Sequence, residues 1–485
     1  ISLESRGISS IVDAGIRSAA AAVARRVAVG GRRAAERTIN GRSAMSPNRI
    51  RRWISRAAVA LACLSILNAP PALAQCEHPF FETPDVYVPG YGRCYVTLGD
   101  VNNDGWVDMA VANRGLYGIV YDVVVLLNNG DGSFQSPARY DAGEGPHDLA
   151  LGDLNGDSWP DMAVANSHSD DISILFNLGN GTFGETDNYS FGSDPIAIAT
   201  GDVDGDDWLD VAVGNDSNDT VSILINNGDG TFAQPAHYSA GDAPHSVVFG
   251  DLNSDSWPDV VVGRFSGAIS VLLNNGDGTF ADYVQYSAGQ YAIDADLGDL
   301  NGDESIDIAV AAWGASKVSI LLNNGDGTFA DPVSYPAGPY PASIVVSDMD
   351  GDDWLDVAVA NEYSASFYAT VLLNNGDGTF GNSYSYDTGN WNHSIDAADL
   401  DNDGWCDMAV ASYHDDDDTN TVAVFLNLCP NSCPADFDED GDVDTEDLLY
   451  LLATWGTPDG DVDGDGDTDT ADLLALLAAW GECYE

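Results

Sequence analysis

GDLNGDSWPDMAVAN, residues 152–166, sets Asp153, Asn155, Asp157 and Asp161 close together and follows them at once with a short apolar run. The stretch recurs as GDVNNDGWVDMAVAN from Gly99, GDVDGDDWLDVAVGN from Gly201, GDLNSDSWPDVVVG from Gly250 and GDLNGDESIDIAVAA from Gly298. Two further copies, SDMDGDDWLDVAVAN from Ser347 and ADLDNDGWCDMAVAS from Ala398, bring the number to seven. The first Asp of each copy stands at 100, 153, 202, 251, 299, 348 or 399, so the repeat length is 48 to 53 residues. A period near fifty fits a four-stranded propeller blade.

Each period carries its own strand order. A β-rich run such as His245–Phe249 (HSVVF) leads into the acidic loop, and a DVAVGN-like run follows it. A third run ends in NNGDG, as in Val318–Phe329, where Asn-Gly and Asp-Gly supply the positive φ of a hairpin turn. A fourth reads like ADPVSYPAG (330–338). The expected fold is therefore mainly β: a seven-bladed β-propeller of four-stranded blades over residues 75–430, with a small α module after it. The last unit stops at Val422–Cys429, before its turn and fourth strand. FFETPDVYVPG (Phe80–Gly90) matches TFGETDNYSFG (Thr182–Gly192) in its Phe-to-Tyr spacing, so the N-terminal segment is expected to supply the missing strand. That pairing removes two free sheet edges. It also sets Cys76 beside Cys429, and a disulfide there would staple the ring in an oxidising compartment.

The acids fall at loop positions 1, 3, 5 and 9, where alternate residues of a tight loop can turn oxygens toward one point. Hard oxygen donors in number select calcium. The expected ligand sets are Asp100, Asn102, Asp104 and Asp108; Asp153, Asn155, Asp157 and Asp161; Asp202, Asp204, Asp206 and Asp210; and Asp251, Asn253, Asp255 and Asp259. The remaining three are Asp299, Asn301, Asp303 and Asp307; Asp348, Asp350, Asp352 and Asp356; and Asp399, Asp401, Asp403 and Asp407. Position 7 would offer only its backbone carbonyl, which leaves its side chain to pack; it is Trp106, Trp159, Trp208, Trp257, Trp354 and Trp405, with Ser305 the exception. The bland alternative is an Asp/Asn-rich turn with no ion, and the mutual repulsion of so many carboxylates argues against it.

Charge narrows the partners. The formal net charge is −61, but residues 1–74 hold 12 of the 17 Lys and Arg and only three acids. The rest carries 75 acids against Arg93, Arg114, Arg139, Arg264 and Lys317, a net of −70. Such a surface repels phosphate backbones, which excludes nucleic acid as a partner. Residues 45–74 read as a cleaved signal peptide: a basic start, an apolar run near 57–67 and Ala72-Leu73-Ala74 as the cleavage site. The apolar run is too short to span a membrane. A secreted or cell-surface location follows as an expectation. Residues 1–44, Arg/Ala-rich and ahead of Met45, read as an extension without packed structure. Arg51-Arg52 fits the twin-arginine route poorly, and Gln75 is too large to precede a lipidated Cys76.

The repeat resembles the FG-GAP/VCBS repeats of integrin-α-like propellers, on GDLNGDSWPDMAVAN together with LLNNGDGTF, over about residues 76–429. The resemblance implies calcium in the blade loops. It leaves function open, because that family includes adhesion modules, glycan binders and polysaccharide lyases. Residues 433–485 differ. DFDEDGDVDTED (Asp436–Asp447) and DVDGDGDTDTAD (Asp461–Asp472) follow the EF-hand loop spacing. Their ligands are Asp436, Asp438, Asp440, Asp442, Asp444 and Asp447, and Asp461, Asp463, Asp465, Asp467, Asp469 and Asp472. Each loop precedes a short apolar helix, and this duplicated loop–helix is similar to the type I dockerin. That resemblance implies two calcium ions and a cohesin-like partner met at Thr445, Glu446, Thr470 and Ala471, a departure from the common Ser-Thr pair. Cys433 and Cys483 bracket the module and could clasp it. Six Cys after signal cleavage allow 15 connectivities, and Cys94 and Cys406 stay unassigned.

His147, His245, His393 and Cys94 each lie six residues before a loop's first Asp, on the first strand near one mouth of the channel. They read as polar residues facing channel water; convergence on a transition metal or an anion is the sharper alternative. No G-x-S-x-G or HExxH occurs, and no catalytic residue is assigned. Two functions stand side by side: a non-catalytic binding or scaffold protein for a glycan or protein, tethered to an extracellular assembly, and an extracellular polysaccharide lyase or glycoside hydrolase. Against a lyase on acidic glycans stands the scatter of the five basic residues along the chain, since such an enzyme must neutralise a uronate.

Overall fold

The computed structural model describes residues 79, 81, 83–115, 121–190, 194–362, 368–389, 391–414, 419–428, 442–443, 450–451, 476 and 481–482. Two compact units divide the chain, residues 74–432 with 484–485, and residues 1–73 with 433–483.

The larger unit is a propeller-like array of four-stranded antiparallel sheets. The first sheet runs Cys94–Gly99, Asp108–Asn113, Asp122–Leu126 and Ala138–Asp141 in sequence order. The same order repeats from Pro146, Pro195, Pro244, Ala292 and Pro341. A single pair, Arg264 with Ala292, joins the fourth and fifth sheets into one of eight strands. The seventh sheet takes Trp391–Ala398, Asp407–Tyr413 and Asn420–Phe425 from one end of the chain and Asp85–Tyr87 from the other. In the last pairing Asp85 faces Val424 and Tyr87 faces Val422. The Phe-to-Tyr spacing had placed the N-terminal strand there.

The second strand explains why DMAVAN-like runs are apolar between a polar first and last residue: every residue of it is buried, between two strands in its own sheet and between two neighbouring sheets. Side chains alternate faces along a strand, and the alternation sorts them by size. Ala110 and Ala112 of the first sheet meet Met162 and Val164 of the second. Ala163 and Ala165 then meet Val211 and Val213. Ala409 and Ala411 of the seventh sheet meet Met109 and Val111 of the first in the same way. Small against large lets sheets approach closely without voids.

A second set of contacts links the fourth strands. Tyr140 meets Phe183, Tyr189 meets Phe232, Tyr238 meets Phe280, Tyr286 meets Phe329 and Tyr335 meets Phe380, all edge-to-face with centroids 5.3–5.6 Å apart. Tyr386 meets Phe81 at 4.9 Å and Tyr87 meets Phe134 at 5.5 Å, so the N-terminal segment carries both halves of the pattern. Edge-to-face is the arrangement the ring quadrupole favours.

In the smaller unit Asp442–Val443 pairs antiparallel with Gly481–Glu482, and Leu451 and Leu476 are buried in helical conformation. The calls on the extension, the signal peptide, Cys76, Cys429, Cys433, Cys483, the partner positions Thr445, Glu446, Thr470 and Ala471, and every C-terminal ligand except Asp442 lie outside the described residues. Among the described residues no helix is long and apolar enough to cross a membrane.

Candidate metal loops and a candidate ligand cavity

Each acidic loop folds around its own side chains. In the second, Asp153 Oδ1 accepts the N–H groups of Gly156 (2.7 Å) and Asp157 (3.1 Å), and Oδ2 accepts that of Ser158 (2.7 Å). Asn155 Oδ1 accepts from Asp157 N and Asp157 Oδ1 from Trp159 N. These are the local side-chain-to-backbone bonds to which Asp and Asn are suited. They draw the oxygens of positions 1, 3 and 5 into one small region.

Position 9 has a role that its place in a ligand series hides. Asp161 Oδ2 accepts the N–H of Leu154 (3.0 Å) at loop position 2, and Oδ1 accepts that of Asn177 (2.7 Å) at the end of the third strand. Asp108, Asp210, Asp259, Asp307, Asp356 and Asp407 make the same two bonds. This carboxylate therefore staples loop to sheet by its own hydrogen bonds. Burial pushes it up to about 6 in Asp108, Asp161, Asp210, Asp259 and Asp307, and to about 8 in Asp356 and Asp407. A cation alongside would favour the charged form.

The asparagine above it bridges neighbouring sheets. Asn177 Nδ2 donates to Pro160 O in its own sheet and to Val101 O in the preceding one. Asn226 reaches Leu154, Asn274 reaches Val203, Asn323 reaches Leu252, Asn374 reaches Leu300 and Asn427 reaches Met349. Asn128 of the first sheet reaches Leu400 O of the seventh, at 2.7 Å. NNGDG reads in the sequence as a turn, yet the glycines carry the positive φ (Gly228 +81°, Gly230 +77°) and the first asparagine holds sheets together. Its distance from the position-9 Asp varies from 15 to 20 residues, so spacing alone does not single it out.

The loop tryptophans pack, as position 7 implied. Trp208 lies between Gly228 of its own hairpin turn and Gly156 of the preceding loop. A Cβ on Gly156 would stand 2.4 Å from the indole.

Fit to a cation differs between loops. Three carboxylate groups place donor oxygens within 4.8 Å of one another: Asp202, Asp204 and Asp206; Asp348, Asp350 and Asp356; and Asp399, Asp401 and Asp407. These are the three loops with Asp at position 3; the other four have Asn102, Asn155, Asn253 and Asn301, which offer an amide oxygen instead. Asp204 Oδ1 and Asp350 Oδ1 are shut away from solvent without a hydrogen-bond partner. An all-oxygen donor set with orphaned carboxylate oxygens suits a hard divalent cation such as calcium.

At the far ends of the first strands lies a cavity of about 240 Å³. Arg93 and Arg114 line it from one register position: Arg114 N donates to Arg93 O (2.9 Å), one step beyond the pair Cys94–Asn113. Arg93 lies 3.4 Å from Glu362, whose other oxygen accepts the Trp313 indole N–H at 2.6 Å. His393 Nδ1 is 3.5 Å from the same Glu362. Tyr95 OH and His147 Nε2 are 3.0 Å apart with their rings stacked. Burial, helped by the charge of Arg114, holds His147 well below its ordinary value; burial does the same to His393 and brings His245 to about 4, so these imidazoles are neutral. His393 Nε2 and Ser246 Oγ are buried without a partner. Phe265, Tyr291, Trp313 and Tyr340 follow one another alongside, with centroids 4.5, 5.8 and 4.6 Å apart.

The three histidines thus share one cavity, but Cys94 does not join them. Its Sγ turns into the core between the first and seventh sheets and points to Ser412 O and Thr421 O. Cys94 and Cys406 are both free thiols. Among the described residues the only groups of three acidic, His or Cys donors close enough to share an ion are in the acidic loops, so the transition-metal alternative loses its support. The basic residues are less scattered than the sequence suggests. Arg93 stands just before the first strand and Arg114 just after the second, and strand pairing makes them neighbours.

Six overlapping segments, 100–164, 153–213, 202–262, 251–310, 299–359 and 348–410, match the FG-GAP-like repeat. The chain belongs to the FG-GAP-like repeat family. Each matched segment of this FG-GAP-like chain begins on the first Asp of a loop and runs into the second strand of the next sheet. Among solved structures the chain is similar to BBS1N in its complex with ARL6DN, at 12% identity over 73% of this chain and 98% of that one, with a TM-score of 0.50. It is also similar to an Agrocybe aegerita lectin described for recognition of non-reducing terminal N-acetylglucosamine (23% identity, 61% and 81% covered, TM-score 0.43). A functionally unknown protein from Desulfotomaculum acetoxidans matches at 13% identity, with 60% and 86% covered and a TM-score of 0.45. No curated protein matches. At these identities the likeness is one of fold.

Proposed function

We propose that the protein is a secreted, calcium-loaded, closed seven-bladed propeller that works by binding a glycan or protein rather than by catalysis. Its C-terminal dockerin-like module would attach it to a cohesin-like module or another surface component. The observation that carries the binding reading is the cavity between the first strands. It gathers unpartnered buried polar atoms and aromatic side chains, which is how a site for a polar ring-shaped ligand is built. The signal-peptide pattern of residues 45–74 supports export, and the orphaned oxygens of Asp204 and Asp350 support calcium. The test is a screen of immobilised glycans and proteins in calcium, run with wild type and Trp313→Ala. Binding by wild type that Trp313→Ala loses supports the reading. Equal signals from both proteins would count against the cavity.

A second reading, a polysaccharide lyase, has one observation in its favour. The hydrogen-bonded Tyr95 and His147 stand in the same cavity as two arginines, an acid–base pair beside groups able to neutralise a carboxylate. Unsaturated products released in that screen would favour it.

A further inference from the structure

We propose that this cavity takes an acidic sugar residue, its carboxylate held by Arg93 and Arg114; the proposal rests on the reading of the cavity as a glycan site. Past Ala74 the chain has only five basic residues, and two of them face each other across one strand pair. Like charges directly opposed on a sheet destabilise it, so the pair needs a counter-charge. Glu362 supplies part of one. Its carboxylate answers Arg93, the Trp313 indole N–H and His393 together. Arg114 has no ion pair among the described residues. A planar guanidinium left open in a cavity matches a carboxylate in geometry as well as charge.

Two more carboxylates line the cavity, Asp148 and Asp294, each accepting two backbone N–H groups rather than pairing with an arginine, and the rest of the lining fits a sugar better than an acidic peptide. His393 Nε2 and Ser246 Oγ are buried, neutral and unpartnered, and suit hydroxyl groups. Trp313 and Phe265 bring aromatic rings to the lining, apolar surface of the kind that packs on a sugar ring. The surrounding chain, at −70, opposes any long polyanion, and that opposition is screened beyond about 8 Å at physiological salt. The attraction is therefore local, for one carboxylate at a time.

The test is calorimetric titration of the full chain, in calcium, with tri-galacturonate and with its carboxyl-reduced neutral counterpart. The expected result is binding of the acid form only. Arg114→Gln should weaken it by about tenfold or more, the usual loss for a hydrogen bond to a charged group. Glu362→Gln should strengthen it severalfold, because it frees Arg93 while leaving an acceptor for Trp313, and a gain cannot arise from misfolding. Unchanged binding by Arg114→Gln would overturn the proposal, since Arg114 would then not hold the carboxylate. Comparable binding of an acetylated tri-glutamate peptide would overturn the choice of sugar. If the neutral trisaccharide binds equally and only Trp313→Ala weakens it, the glycan site stands and its acidic specificity falls. No binding of either trisaccharide would count against both.

Discussion

Replacing Asn226 by alanine removes three hydrogen bonds from a buried position, to Leu154 O (2.8 Å) in the preceding sheet, to Leu209 O (3.0 Å) and from Gly228 N (3.0 Å). Each such bond is worth roughly 1 kcal/mol net, and stranding a buried carbonyl adds about 1–2 kcal/mol, so the expected cost is about 4 kcal/mol. With an unfolding entropy of about 2.1 cal/mol/K per residue over roughly 350 residues, the melting temperature should fall by about 5 °C. The control is its neighbour. Asn227 is exposed and its side chain reaches only Thr231 Oγ1, 3.0 Å away in the same turn. Asn227→Ala should shift the melt by about 1 °C or less, within the usual range for surface substitutions. Both variants and wild type would be compared by calorimetry in saturating calcium. Equal shifts, or a larger one for Asn227→Ala, would refute the assignment of sheet-to-sheet bridging to the first asparagine.

Phe81→Ala should lower the melting temperature more than Tyr91→Ala, because Phe81 packs against Tyr386 and Phe425 whereas Tyr91 is exposed; equal melts would show that the Phe81 packing adds nothing. His393 makes a pH prediction. Its folded value lies below the ordinary 6.5, so as pH falls the unfolded chain takes up the proton first, and stability present above pH 6.5 is lost below it. Asp148 and Asp294, raised to about 7 by burial, act in the opposite sense, so the difference between proteins isolates the histidine. Wild type should lose more melting temperature than His393→Gln between pH 7 and pH 5; parallel slopes would contradict this. Asp204→Asn should weaken calcium binding at its loop more than Asn155→Ala at the second, read by titration with a calcium-sensitive dye, because Asp204 supplies a formal charge with an orphaned oxygen. The reverse order would remove that oxygen from the ligand set.

Much of the architecture was legible because each unit repeats the same instructions. The period gave four strands, and the missing fourth strand of the last unit pointed to Phe80–Gly90. The DMAVAN run showed burial, but not that its alanines face one neighbouring sheet and its larger residues the other. That follows only once two sheets are set side by side. Position 9 reads as a metal ligand from its chemistry; one of its backbone bonds closes the loop at position 2, and the other reaches the end of the third strand, which the loop alone does not show. The first asparagine of NNGDG was hidden by its fitness for turns. Arg93 and Arg114 are 21 residues apart and look unrelated until strand pairing makes them adjacent. Cys94 shares its register with the histidines, but a thiol packs well in an apolar core and lies there.

Calcium bears on every part of the account, and one measurement addresses it directly: bound calcium per chain after gel filtration, with the melting temperature in calcium and in excess chelator. About seven propeller ions and two in the C-terminal module are expected, with a melt that falls sharply once they are removed, since ions bound only by the folded state stabilise it by mass action. Less than one ion per chain, with the same melt in chelator, would mean that the acidic loops are turns held by their own hydrogen bonds and that calcium has no part in the fold.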